Sequence, residues 1–190
     1  MGRFCHDMGR LKPAPTASHP GSGHNRGMDT EQIRIRTYVP RDAAAFSALN
    51  RRWLIEHNLL EAADEKQLDD PDTHVFSRGG EIFIAEMNGR TVGCCAAIPH
   101  GRGALEVAKL AVDPAAQGHG IGRQLVLEAL RFARERGFIK VILTSNSALV
   151  NALKLYESLG FERRLVPDNV PYASVDVYME LWLGESAASG

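Results

Sequence analysis

The chain has no run of about 18 apolar residues, the length a helix needs to cross a bilayer, so no membrane span is expected. It has no surplus of either charge. The formal net charge is −1 over 190 residues, which leaves no basic footprint for nucleic acid and no acidic tail. Cysteine is scarce: Cys5, Cys94 and Cys95 are an odd set. Cys94 and Cys95 are adjacent and point to opposite faces if they lie on a strand. Reduced, small, buried thiols in a cytoplasmic protein are expected. The start has no apolar segment of the kind a signal peptide needs. Instead "LKPAPTASHPGSGHNRG" is rich in Pro, Gly, Ser and His, and residues 1–28 read as a disordered extension, with Met28 as an alternative start. His6, His19 and His24 are too irregularly spaced to suggest a metal site, and no metal is expected. The rest, 29–185, suits one domain with its own core.

"IRIRTYV", Ile33 to Val39, alternates as a strand with one buried face. Pro40 ends it, Asp42 is placed to cap the next helix, and that helix is predicted to run to about Asn58. "EAADEKQLDDP" predicts a short acidic helix stopping before Pro71. In "GGEIFIAEMNGRTVGCCAAIP" two strand-like runs flank Asn88-Gly89, a pair suited to the positive φ angles of a tight hairpin. A strand, Leu105 to Val112, follows. Next comes a helix with Ile121, Leu125, Ala129 and Ala133 in one stripe, then the apolar strand "FIKVILTS", a helix ended by Gly160, and the alternating "SVDVYMELWL". The fold class is α/β (α+β), a mixed, mostly antiparallel sheet of six to seven strands with helices on both faces.

Between Val112 and the long amphipathic helix stand three glycines at alternate positions, Gly118, Gly120 and Gly122. A helix start presents unpaired N–H groups and partial positive charge, and glycine lets an anion approach them. Gly-Lys-Ser or Gly-Lys-Thr does not follow, so this is not a P-loop. The G-x-G-x-G spacing, late in the chain, does not fit a dinucleotide-binding loop either. "QGHGIG", Gln117 to Gly122, resembles the Q/R-x-x-G-x-G/A signature of the GCN5-related N-acetyltransferases. "LAVDP" before it resembles the family's strand and turn, and "ALKLYESLGF", Ala152 to Phe161, resembles a second motif. The likeness covers about Ile33 to Leu183.

That resemblance implies transfer of acetyl from acetyl-coenzyme A to a primary amine of a small molecule, amino acid or protein by direct attack. A non-catalytic acyl-coenzyme A sensor is the alternative. The coenzyme's diphosphate would meet the amides of Gln117, Gly118, His119, Gly120, Ile121 and Gly122, with Arg123 either at the diphosphate or a solvated helix residue. Leu110, Ala111 and Val112 would pair with the pantetheine arm, and Leu110 or Ala111 would polarise the thioester carbonyl. Tyr156 would protonate the departing thiolate, unless it is simply an aromatic helix residue. Glu106 is the candidate base, its alternative being an edge-strand charge facing water. Glu106 and Ala108 share one strand face, Val107 and Lys109 the other, and Lys109 is expected to be solvated or near a helix end. Asn146 would touch the coenzyme or act as a plain helix N-cap. Trp53, Glu56, His57, Glu61 and Asp64 are acceptor-site candidates. Cys94 and Cys95 lack a paired histidine for a nucleophile's role. No nucleic-acid or membrane partner is implied, and a homodimer is one candidate assembly.

Overall fold

The computed structural model describes residues 32–101 and 103–184; the expectations for residues 1–28, including Cys5 and the three histidines there, lie outside them. Strand β1 (Ile33–Thr37) leads into helices α1 (Ala43–Glu56), α2 (Ala62–Asp69) and the short α3 (Pro71–His74). The hairpin strands are β2 (Glu81–Met87) and β3 (Arg90–His100), joined through Asn88 and Gly89 at φ 52° and 76°. Both residues have the positive φ that a tight turn of this kind needs. Then come β4 (Ala104–Val112), α4 (Ile121–Glu135), β5 (Lys140–Ser145), α5 (Val150–Ser158), β6 (Glu162–Arg164) and β7 (Val177–Trp182).

The seven strands form one sheet in the order β1-β2-β3-β4-β5-β7-β6. The β4–β5 pair is parallel and the others antiparallel, because α4 carries the chain back to start β5 from the same end. The six strands legible in the sequence are present. The seventh, β6, has three exposed residues and hence no apolar alternation to announce it.

Two apolar layers hold the sheet. On one face, Ile121, Leu125, Ala129 and Ala133 of α4, with Leu153 and Tyr156 of α5, pack on Val107, Val141 and Met179. On the other, Phe46 of α1 and Leu68 of α2 pack on Ile82, Ile84 and Ile98. Cys95 belongs to the first layer and Cys94 to the second, as strand alternation requires. Burial pushes the Cys94 thiol up to about 12 and raises Cys95 still further, so neither forms a ready nucleophile. Asp42 precedes α1 but does not cap it with its side chain. Its carboxylate instead accepts from Val39 N at 2.8 Å and pairs with Arg36 at 2.6 Å, with Glu86 on the far side of the guanidinium.

Two irregularities shape the middle of the sheet. β4 and β5 pair only from Ala104↔Lys140 to Glu106↔Ile142; beyond Glu106 the strands part and leave one edge of β4 open. On the other edge the register with β3 slips, Cys94 opposing Ala111 while Ala96 opposes Ala108. Lys109, at φ 52°, sits in this bulge. A bulge inserts one residue and reverses the facing of those beyond it. Hence Val107 and Leu110 face the α4 layer, while Ala108 and Ala111 face the α1 layer. Lys109 is therefore neither on the face of Val107 nor solvated; it meets the first turn of α2, its ammonium 2.5 Å from Asp64, with side-chain exposures of 7% and 6%.

Candidate active site

The parted strands open a cleft of about 880 Å³, within the usual range of small-molecule sites. Its walls come from α1, the second half of β4, the loop to α4 and the first turn of that helix. The end of β5 and the length of α5 complete it.

At one end, Gln117, Gly118, Gly120, Ile121, Gly122 and Arg123 line the cleft. Gly118 and Gly120 take φ of 85° and 72°, a conformation costly for any other residue. Gly120 is the N-cap of α4 and no side chain caps that end. The amides of the first turn have no carbonyl within the helix to bond, so they offer an anion site on the cleft wall. Gly122 is different. A Cβ there would stand 3.6 Å from Leu155 and 3.9 Å from Val112, ordinary contact distances that put the start of α4 beside β4 and α5 with room for a methyl group. Arg123 donates to Ser158 Oγ at 3.1 Å, which tethers the cationic side chain to α5 beside the amides. His119 does not line the cleft; its Nδ1 turns back to the Ala116 and Gln117 carbonyls at 3.2 and 3.1 Å.

In the middle, Leu110 and Val112 line the open edge of β4. Ala111 is 2% exposed and absent from the wall, since the bulge turns it to the α1 layer. Tyr156 lines the cleft from α5, 5.9 Å from the Phe161 ring centre. Burial holds its phenol well above the ordinary value, so the group stays protonated at neutral pH and can donate. Asn146 also lines the wall, but it is not the helix cap, a position held by Leu149. Its Oδ1 accepts from Ala148 N at 2.9 Å and its Nδ2 donates to Ser174 O at 2.6 Å.

At the other end, Glu106 lines the cleft with 19% of its side chain exposed. It lies 3.8 Å from His100 Nδ1, and its carboxylate raises the His100 pKa. Trp53, Glu56, His57 and Asp64 also line the cleft, while Glu61 does not. Trp53 and His57 stack at 4.5 Å. Glu61 instead accepts from the amides of Ala173 and Ser174, both at 3.0 Å, donors that lower its pKa. This ties residues 165–176, the loop before β7, to the start of α2. The tie brings in Tyr172, which the sequence reading did not single out; its hydroxyl accepts from Lys109 Nζ at 3.3 Å and it lines the cleft. An aromatic beside Pro171 in a polar loop is the only local signal of it. Among the described residues no group of His, Cys, Asp or Glu is arranged to hold a metal ion, and no helix is long and apolar enough to cross a membrane.

Comparison with known proteins agrees with this geometry. Residues 78–163 match the model of the acetyltransferase (GNAT) domain. The mycothiol acetyltransferase of Thermomonospora curvata is 36% identical over 135 residues, 70% of this chain and 46% of that protein. The chain spans about half the length of such curated relatives. Two solved structures share the fold. An acetyltransferase of the GNAT family from Staphylococcus aureus has a TM-score of 0.72 at 18% identity, covering 80% of this chain and 99% of that one. A phosphinothricin acetyltransferase from Sinorhizobium meliloti, in complex with acetyl-coenzyme A, scores 0.65 at 19% identity, covering 83% and 92%. With the parted β4 and β5, the glycine-led α4 and the matching domain in one place, the chain belongs to the GCN5-related N-acetyltransferase family.

Proposed function

We propose that the protein is an acetyl-coenzyme A-dependent N-acetyltransferase acting on a primary amine by direct attack. The observation that carries the reading is the uncapped, glycine-led start of α4 beside the open edge of β4 on one cleft wall. When bound, acetyl-coenzyme A supplies an activated acyl carbonyl and a thiolate leaving group. The first-turn amides of α4 hold the diphosphate, with Arg123 beside them. The edge groups of β4 after Glu106 pair with the pantetheine amides as an added strand would. Leu110 is the better donor to the thioester oxygen, because it lines the cleft and Ala111 does not. Tyr156 gives its proton to the sulfur. Glu106 takes the proton that the amine must lose, directly or through water.

The test mixes the protein with acetyl-coenzyme A and a panel of amines while free thiol is followed. Small-molecule amines come first, because relatives at this similarity are named for a small thiol. Amine-dependent thiol release is expected, and Tyr156→Phe should lower kcat about 10²-fold or more, the ordinary weight of an acid catalyst, with coenzyme affinity kept. Tight coenzyme binding without thiol release for any amine would favour the sensor reading instead.

A further inference from the structure

The acceptor end of the cleft has an unusual charge arrangement. Asp64 and Glu106 line it beside Tyr172, Lys109 is the lysine on its wall, and Glu56 lines the cleft as well. Glu56 is drawn to Arg52 at 2.9 Å. His57 turns Nδ1 to the Trp53 carbonyl at 2.8 Å. Arg123 stands at the other end, on Ser158. Lys109 would be the natural partner of a substrate carboxylate, yet its ammonium is held by Asp64 at 2.5 Å and by the Tyr172 hydroxyl at 3.3 Å, and is nearly closed off from water. Asp64 is itself fixed, since its other oxygen accepts from the Glu61 amide at 3.0 Å at the start of α2. Glu61 in turn holds the loop that carries Tyr172. The four side chains close a circuit that joins α2, the β4 bulge and that loop.

A carboxylate brought here would meet a cation already neutralised and the Glu106 charge besides, and like charges brought together at a desolvated site repel strongly. A cationic amine without a carboxylate meets no such penalty and finds Glu106. We propose that the acceptor is a cationic amine bearing no carboxylate near the amino group, and that Asp64 sets this preference by occupying Lys109. The proposal rests on reading the cleft as an acetyltransferase site and narrows its acceptor class.

The experiment compares matched pairs, an amino acid amide against the free amino acid, on the wild-type protein saturated with coenzyme A. Binding is measured by calorimetry, and kcat/KM by thiol release with acetyl-coenzyme A. The amide should win by at least about tenfold in both readouts. In Asp64→Asn, where the amide oxygen can still accept from the Glu61 N–H, Lys109 is freed and the ratio should fall to near one. Equal affinity for the two members of the pair in the wild type overturns the proposal whether or not the variant folds, as does an unchanged ratio in a folded variant. If the amide binds preferentially and no thiol is released, the acceptor preference stands and the catalytic reading fails. If neither amine is turned over or bound, both fail.

Discussion

Gly120 and Gly122 stand two residues apart at the start of α4 and have different physical roles. Gly120 holds φ 72° with open space where a Cβ would go. Gly120→Ala should therefore cost roughly 1–2 kcal/mol of stability from the left-handed backbone and weaken coenzyme A binding by about tenfold or more, because the new methyl stands at the proposed diphosphate site. Gly122 has no such φ, and a Cβ there makes ordinary contacts with Leu155 and Val112. Gly122→Ala should raise stability by about 0.4–1 kcal/mol and leave coenzyme affinity within about threefold, well under the 1.4 kcal/mol that a tenfold change represents. Thermal melts and calorimetry with coenzyme A distinguish the two. The glycine spacing was legible in the sequence, but the division of labour was not, since φ and the neighbours of a missing Cβ belong to the folded chain. The same holds for Ala111 and His119. Both lie inside the stretch that marks the site, yet one is turned away by the bulge and the other by its bonds to the loop's own carbonyls.

At the level of elements, Glu61 at the start of α2 holds the loop at 165–176 by two of its amides, beside the bonds that Asn146 and Lys109 make to Ser174 and Tyr172. Glu61→Ala removes the acceptor for the Ala173 and Ser174 amides. Faster hydrogen exchange at those two amides is expected, with a melting temperature within about 4 °C of wild type, because a surface clasp contributes on the order of 1 kcal/mol. The wild-type clasp also has a defined pH dependence. Its donors depress the Glu61 pKa in the folded state, so the contribution is fully present above the ordinary glutamate pKa of about 4.3 and is lost as pH falls through the lower folded value. Protection of Ala173 and Ser174 should hold from neutral pH to about 4.3 and decline only below that; loss of protection between pH 7 and 5 would contradict this. Helix and strand periods made α1, α2, α4, α5 and six strands readable. The tie of α2 to residues 173 and 174 was not readable, because a carboxylate in an acidic helix looks the same whether it faces water or another loop.

For the molecule as a whole, stability rests on two apolar layers on either side of one sheet. Leu125 of α4 is fully buried in one of them, while Leu127, two positions on, is 43% exposed. Leu125→Ala should cost about 2–5 kcal/mol and lower the melting temperature by roughly 5–15 °C. Leu127→Ala should stay within about 0.5 kcal/mol of wild type. Equal effects would mean that α4 packs by another face.

Local pattern alone decided the layers, the hairpin at Asn88-Gly89 and the glycine-led helix start, because each depends on spacing within a few residues. Tertiary structure alone decided where β4 leaves β5, which way the chain faces after Lys109, and which carboxylate holds that lysine. A bulge and a parting of strands depend on register with chains far off in sequence. The pairing of Lys109 with Asp64 joins residues 45 positions apart, a distance over which no periodicity carries information.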